Sequence, residues 1–246
     1  MDRMLYIGMS GAKERMLAQA VNNNNLANVS TVGFRADLEQ ARSMPVFGPG
    51  HPSRAFAMTE RPGIDFSPGT LEITGDPMNV AVKGEGWIAV QAPDGSEAFT
   101  RDGNLRVTPE GFLVNGAGHQ VMGNGGPISL PPAKTVSVGV DGTITIVPLG
   151  QAASTLVEVD RIKLVKPEPA RLIKGEDGLL RLREPEPVNP DASVRLETGM
   201  LERSNVNPVE VMAKMITLAR GFEMQVKIMK TADEIDRASE ELVRMG

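Results

Sequence analysis

The chain contains no cysteine and only two histidines, His51 and His119, among its 246 residues. Without thiols it has neither a disulfide framework nor a thiolate metal site, and two isolated histidines do not form a metal-binding motif. Aromatic residues are also scarce, with one Trp, one Tyr and seven Phe. Gly (26), Pro (18) and Met (14) are plentiful, which indicates many turns and an apolar surface made of flexible side chains.

Long hydrophobic runs are missing as well. No run approaches the length of a membrane-spanning helix, and charged residues interrupt the start of the chain before an apolar signal-peptide core could form. We therefore expect a soluble protein without a cleaved signal peptide. The formal net charge of −5 gives no electrostatic reason to expect nucleic acid or an anionic membrane as a partner.

Motifs for catalysis do not occur either. The glycine-rich stretch 116–123 lacks the G-x-G-x-x-G spacing and is not followed by a helical pattern, so it does not predict a phosphate site. No Walker sequence and no G-x-S-x-G are present, and four Asp residues (94, 102, 141 and 177) directly precede Gly, where a turn requires them. We expect no enzymatic activity, no metal and no cofactor.

The strongest helical pattern lies at the C-terminal end. Asn207-Pro208-Val209-Glu210 supplies an N-cap, a proline at the first helical position and a glutamate three residues after the cap. From there to about Arg244 only Gly221 interrupts the pattern, which predicts a helix of about 55 Å. Its apolar residues repeat at threes and fours, as in a coiled-coil seam, and are Met212, Met215, Ala219, Phe222, Val226 and Met229.

A weaker helical pattern runs from Arg3 to about Asn28. Gly8, Gly11 and a run of four Asn weaken it, so this helix needs a partner to pack against. Its apolar stripe consists of Leu5, Met9, Ala12 and Met16. We expect the two stripes to form a coiled coil within the subunit and its lateral contacts. The simpler alternative is that the long C-terminal helix lies on its own domain.

Between the helices, short segments rich in branched residues predict strands. These segments are 80–83, 87–91, 105–108, 112–114, 136–140, 143–147 and 160–165. Asp-Gly and Asn-Gly pairs separate them and predict tight hairpin turns, because such turns need positive φ. The pairs begin at Asp94, Asp102, Asn115, Asp141 and Asp177.

The fold class is therefore mainly β with terminal α-helices, built around a central, turn-rich antiparallel β domain. Prolines at 45, 49, 52, 62 and 68 predict an extended or loop-like connector before that domain. The predicted parts are an N-terminal assembly helix and motif (1–35), a Pro/Gly-rich connector (36–69), the β domain (70–198) and a C-terminal assembly helix (199–246).

Two stretches near the ends carry motifs of a known family. Residues 23–35 (NNNLANVSTVGFR) resemble the N-terminal motif of the flagellar rod and hook proteins, and residues 202–209 (ERSNVNPV) resemble their C-terminal motif. In the middle, 75–82 is similar to the family's entry into its β domain and 99–107 to its next hairpin. The resemblance covers nearly the whole chain. Its start, 1–13, is most similar to proximal-rod members, with distal-rod members as the alternative.

The resemblance implies a non-catalytic, self-assembling subunit of the bacterial flagellar basal-body rod, the hollow drive shaft for motility, in the periplasmic space. Its partners would be copies of itself, other proximal and distal rod subunits and the flagellar type III export apparatus. In this family the terminal helices pair as a coiled coil in the assembled state. The candidate assembly interface therefore adds motif residues to the two stripes, namely Asn25, Leu26, Asn28, Asn205 and Asn207. The Asn run either supplies polar contacts between subunits or simply ends the helix.

A different interpretation is that the β domain binds carbohydrate or peptidoglycan and the helices only oligomerise it. Trp87 is the one large ring that could stack on a sugar. A Trp followed by Ile-Ala-Val is more typical of a core strand. Binding of peptidoglycan fragments to the isolated β domain would distinguish the two interpretations.

Overall fold

The computed structural model describes residues 2–45, 55–150 and 156–244, with the backbone alone described at 2–4, 40–45, 55–62, 242 and 243. The chain divides into two compact units. Unit 1 consists of Met1–Val29, Ala36–Asp65 and Val206–Gly246. Unit 2 consists of Ser30–Arg35 and Phe66–Asn205.

Unit 1 holds the two long helices, α1 (Asp2–Ala27) and α2 (Pro208–Arg244). They pack against each other in antiparallel directions, since Gly8 near the start of α1 lies beside Met229 in the second half of α2. The bounds of both helices agree within one residue with those that the sequence predicts.

The start of α2 follows the predicted capping pattern. The Asn207 side-chain oxygen accepts hydrogen bonds from the N–H groups of Val209 (3.0 Å) and Glu210 (3.4 Å). These bonds satisfy two of the N–H groups that the first turn of a helix leaves without intrahelical partners.

Unit 1 also contains an antiparallel pair of strands, β1 (Asp37–Pro45) and β2 (Ala55–Ile64). The prolines of this region predict a loop-like connector, whereas the structure forms two paired strands here. The register shifts between the pairs Leu38–Gly63 and Gln40–Glu60, which leaves Pro62 inside a bulge of β2. A proline is tolerated in a bulge, where no ladder hydrogen bond needs its missing N–H. Pro49 and Pro52, which also belong to the predicted connector, lie outside the described residues.

Unit 2 is built from short strands and one 3₁₀ turn (Pro169–Arg171). The strands are β3 (Leu71–Ile73), β4 (Val80–Lys83), β5 (Trp87–Gln91), β6 (Glu97–Thr100), β7 (Arg106–Val107), β8 (Leu113–Val114), β9 (Gln120–Val121), β10 (Ala133–Val138), β11 (Thr143–Pro148), β12 (Val157–Arg161), β13 (Leu164–Val165), β14 (Leu172–Lys174), β15 (Leu180–Leu182), β16 (Arg195–Thr198) and β17 (Met200–Glu202).

The strands of unit 2 pair antiparallel throughout the described sheets. The largest sheet has the order β14-β15-β6-β5-β9-β8-β7, and β13 also pairs with β5. A second sheet has the order β10-β11-β12, and two small ladders join β16 to β4 and β17 to β3. In the last two ladders, the two strands that directly precede α2 (β16 and β17) pair with the first two strands after residue 70 (β4 and β3).

The core of unit 2 is aliphatic. Its fully buried apolar residues are Val80, Ile88, Val90, Leu113, Val121, Ile128, Ile144, Ile146, Val165 and Leu196. Branched aliphatic side chains fill the space between pleated strands well, which explains how a chain with few aromatic residues builds a core.

The glycines of the Asp-Gly pairs have two different structural roles. Gly95, Gly142 and Gly178 have positive φ and lie in turns, as predicted. The hairpin predicted at Asp102-Gly103 is wrong, since β6 and β7 are not neighbours in the sheet. Gly103 lies against β4, where an added Cβ would be 1.8 Å from the Val80 carbonyl oxygen, so it is needed for a close approach of two backbones.

The predicted fold class is confirmed: two terminal helices and a central antiparallel β region. The predicted strands 80–83 and 87–91 coincide with β4 and β5. The predicted strand 160–165 divides into β12, which pairs with β11, and β13, which pairs with β5. Sequence patterns do not show that one apolar run serves two sheets.

Candidate assembly site

The contact between α1 and α2 in unit 1 is made through small residues. A Cβ added to Gly8 would lie 2.8 Å from Cγ of Met229, and one added to Gly11 would lie 3.0 Å from Cδ of Gln225. On the other helix, a Cβ added to Gly221 would lie 3.1 Å from Nε of Arg15. Small residues on facing helices let the backbones approach closely, and here long side chains of the opposite helix (Met229, Gln225 and Arg15) lie beside them.

Polar side chains complete this contact at the end of α1. Asn22 is buried and its Nδ2 donates a hydrogen bond to the Val211 carbonyl oxygen of α2 (2.8 Å). Asn25 is also buried, donates to the carbonyl oxygen of Asp37 (2.9 Å) and accepts from its N–H (2.9 Å). The Asn25 amide therefore bonds the first residue of β1 as a neighbouring strand would.

Glu39 of β1 lies near charges of both helices. Burial raises the pKa of its carboxyl, and the negative charge of Glu14 raises it further, while Lys214 and Arg15 lower it. The first residue of β1 is thus joined to the end of α1 by the two Asn25 hydrogen bonds, whereas the surroundings of Glu39 disfavour its charged form.

The residues of the two predicted stripes fall into different environments. Ala12 is buried, whereas Leu5, Met215, Phe222, Val226 and Met229 are half-buried. Met9 (57 % exposed), Met16 (61 % exposed), Met212 and Ala219 are exposed. The α1 stripe is predicted from the spacing of its apolar residues, and of these Ala12 is buried, while Gly8 and Gly11 beside the stripe lie against α2.

Both helices consequently expose large apolar side chains. On α1 these are Tyr6, Ile7, Met9, Met16 and Leu17, and on α2 they are Val209, Met212, Ile216, Met224, Ile228 and Ile235. We refer to them as the exposed apolar residues. Exposed apolar surface is unfavourable in water, so these side chains are candidates for association with other chains.

The predicted motif residues make hydrogen bonds within the chain. Asn28 Nδ2 donates to the Asn24 carbonyl oxygen (3.0 Å), and Asn205 Nδ2 donates to the Ser67 carbonyl oxygen (3.1 Å). Leu26 is half-buried. Together with the Asn207 cap and the buried Asn25, these residues are engaged inside the subunit, and their role between subunits remains a prediction.

Unit 2 contains a group of charges that sequence reasoning did not identify. Glu202 Oε1 lies 2.5 Å from Arg35 Nη2, and Glu202 Oε2 lies 2.9 Å from Arg101 Nη1. The side chains of all three are at most 5 % exposed. Glu202 Oε1 also accepts the N–H of Gly69 (2.8 Å). We refer to Arg35, Arg101 and Glu202 as the buried ion cluster.

Trp87 lies beside this cluster. Its ring centroid is 5.6 Å from Cζ of Arg35 and 4.9 Å from Cζ of Arg101, and the Phe66 ring meets it edge-on at 6.0 Å. Burial lowers the pKa of Arg101, an effect that Glu202 opposes. The negative face of the indole supports the two guanidinium groups. Because Trp87 is only 6 % exposed, its ring does not offer a surface for stacking on a sugar.

The ends of the two family motifs meet at this cluster. The Gly33 N–H donates to the Glu202 carbonyl oxygen (2.7 Å), and the Asn205 N–H donates to the Phe34 carbonyl oxygen (3.4 Å). Arg35 and Glu202 both lie in the quoted motifs, and Arg101 lies in the similar stretch 99–107. That shared membership was the available signal, but a sequence does not show that residues 167 positions apart form a pair.

No chemical site accompanies these features. Within the described ranges, no three His, Asp or Glu side chains form a group that could hold a metal ion. His119 lies in the turn after β8, and His51 lies outside the described residues. Among the helices of the described chain, none is both long and apolar enough to cross a membrane.

Three family models match successive parts of the chain. Residues 5–35 match the flagella basal body rod protein model, 81–146 match the flagellar hook protein FlgE/F/G D1 domain, and 197–245 match the flagellar basal body rod FlgEFG protein C-terminal model. The first and last models contain Arg35 and Glu202 respectively, and the middle one contains Arg101.

Curated relatives match over the full length. The chain is 41 % identical to the flagellar basal-body rod protein FlgF of Salmonella typhimurium and 40 % identical to that of Escherichia coli, each over 100 % of both chains. The flagellar basal-body rod protein FlgG of Bacillus subtilis is 31 % identical over 96 % of this chain and 97 % of its own.

These findings define a structural subunit of the bacterial flagellar basal-body rod. The chain belongs to the FlgF family of flagellar basal-body rod proteins. The relatives carry names of structural proteins, and the FlgG relatives are more distant than the FlgF ones.

Proposed function

We propose that this chain polymerises in the rod through the exposed apolar residues of α1 and α2. The observation that carries the proposal is their position: these large apolar side chains stay exposed on both helices, although α1 and α2 already pack against each other. Burying one such side chain contributes about 1.5–3 kcal/mol, and several together stabilise a polymer.

The partners in this proposal are copies of the same chain and other proximal and distal rod subunits. In the assembled state α1 and α2 form the coiled-coil lining of a hollow shaft, and the proximal rod is the proposed level. The subunit is not an enzyme and reaches the periplasmic space through the flagellar type III export apparatus.

The test replaces exposed apolar residues by charge. In a strain that carries Met9→Asp with Met16→Asp, we expect the subunit to be exported but absent from purified hook–basal bodies, with motility lost, because two carboxylates resist burial between subunits. Asn23→Asp, an equally exposed position on α1, is the matched control and should assemble normally. Normal incorporation of the double variant would show that this face of α1 is not an assembly interface.

A further inference from the structure

The buried ion cluster belongs to unit 2, and two of its residues are close in sequence to the points where the chain passes from one unit to the other. The chain leaves or enters unit 2 after residues 29, 35, 65 and 205. Arg35 is the last residue of the short segment Ser30–Arg35, and Glu202 precedes the end of unit 2 by three residues. Two of the three charged residues of the cluster are therefore close in sequence to a crossing point.

Backbone and side-chain bonds connect these crossing segments to one another inside unit 2. Glu202 takes part in three of these contacts. Its carboxylate pairs with Arg35 and accepts the Gly69 N–H, and its carbonyl oxygen accepts the Gly33 N–H. Asn205 adds a side-chain bond to Ser67. The chain that follows α1 is thus joined directly to the chain that precedes α2.

We propose that the buried ion cluster positions the two helices for pairing, so that the α1–α2 contact depends on Arg35 and Glu202 although neither residue touches that contact. In the sequence 180 residues lie between Ala27 and Pro208. The bond from Gly33 to Glu202 replaces this loop by one of about a dozen residues. By the length dependence of loop closure, that raises the effective concentration of one helix at the other by roughly fiftyfold.

Arg35 is the residue whose removal separates this role from the stability of unit 2. Without it, Arg101 and Glu202 remain as a pair of opposite charges beside Trp87. The backbone bonds of Gly33 to Glu202 and of Asn205 to Phe34 remain, but the Arg35 side chain no longer holds the segment that makes them. Where these bonds open, the nearest attached point after α1 is Gly69, and the loop that closes the helix pair grows to about fifty residues. The equilibrium constant for helix opening should therefore rise, by at most roughly eightfold.

The experiment uses the full chain, which has no native thiol. Ala18→Cys places a thiol at a buried position of α1, and in a second protein Ala98→Cys places one at a buried position of β6. When each unit recloses faster than its exposed thiol is alkylated, the alkylation rate is proportional to the equilibrium constant for opening of that unit. Both are measured with and without Arg35→Met, and with Arg106→Met as the matched change at an exposed arginine of β7.

We expect Arg35→Met to raise the alkylation rate of the α1 thiol, by at most roughly eightfold, and to leave that of the β6 thiol unchanged. Arg106→Met should change neither rate. An unchanged α1 rate, with Trp87 fluorescence showing that the cluster is altered, overturns the proposal. If Arg35→Met also raises the alkylation rate of the β6 thiol, the two rates are measured again with Glu202→Gln. Equal acceleration of the α1 and β6 thiols in both variants also overturns the proposal, because the cluster would then act only on overall stability.

Discussion

At the scale of single residues, the buried ion cluster places two positive charges against one negative charge inside unit 2. Removing charges from water is unfavourable unless their partners and hydrogen bonds compensate. Glu202 compensates with both carboxylate oxygens, and the Trp87 ring contributes its negative face to both guanidinium groups. The single Trp of the chain is therefore part of an electrostatic arrangement as well as of the core.

Glu202→Ala should destabilise unit 2 by about 3–5 kcal/mol, because it leaves two buried guanidinium groups without a carboxylate. Glu197→Ala is the control, since Glu197 pairs with the exposed Lys83 and such a surface pair contributes at most about 1 kcal/mol. Urea unfolding followed by circular dichroism measures both changes. Equal effects of the two substitutions would contradict the assigned importance of the cluster.

Asp102 predicts a pH dependence of stability. Burial raises the pKa of its carboxyl, and hydrogen bonds from the N–H groups of Asn104 (3.1 Å) and Ala117 (3.3 Å) only partly oppose this. A carboxyl with a raised pKa in the folded state binds its proton more tightly there than in the unfolded chain. Its contribution is therefore most favourable below the unfolded pKa and is lost as pH rises through the folded pKa.

Asp102→Asn removes this titration. The free energy of unfolding of the parent protein, minus that of the variant, should fall between acid and neutral pH. Urea unfolding at several pH values measures the difference, in which the titration of other groups cancels. A difference that rises with pH would mean that the carboxylate is the form favoured by folding.

At the scale of elements, α1 shows how a local weakness becomes a requirement of packing. Gly8 and Gly11 each lower helix propensity by about 1 kcal/mol relative to Ala. In the folded unit their missing side chains admit Met229 and Gln225. The gain from close packing of α2 offsets the loss in propensity, which agrees with the expectation that this helix needs a partner.

Gly8→Leu should therefore disrupt the helix pair, although leucine favours helices. A Cβ alone would lie 2.8 Å from Met229 Cγ, so a larger side chain forces the helices apart. Ala20→Leu is the control, because Ala20 is exposed on the same helix. We expect the helical circular dichroism signal of the subunit to melt at a lower temperature in the first variant, and equal melting of both would contradict the contact.

Much of the element structure could be predicted from the sequence, because helix caps, periodicity and turn glycines are local signals. The bounds of α2 and the Asn207 cap follow from four consecutive residues. The contact surface of α1 could not be predicted in this way. Periodicity identifies apolar residues that share a side of a helix, but it does not say whether that side faces the same chain or another one.

At the scale of the whole molecule, the two units have different kinds of surface and core. Unit 2 buries a continuous aliphatic core, whereas both helices of unit 1 expose large apolar side chains. That distribution accords with a subunit whose β region folds within one chain and whose helices associate further.

Phe222→Asp tests the role of α2 in that association. Phe222 is half-buried on α2, and a carboxylate there should block incorporation into the rod and leave unit 2 folded. The neighbouring exposed Glu223 gives the control Glu223→Asp. Recovery of hook–basal bodies, together with amide dispersion of unit 2 by NMR, measures both effects. Normal motility of the Phe222 variant would count against the assignment of α2 to the interface.

The sequence by itself determined the class of fold, the extent of both helices, about half of the strands and the family, because these depend on local propensities and on contiguous motifs. Only the tertiary structure decided which side of α1 packs against α2 and that Arg35, Arg101 and Glu202 meet beside Trp87. Those facts depend on residues that are far apart in the chain, and their pairing is a property of the folded backbone that no local pattern records.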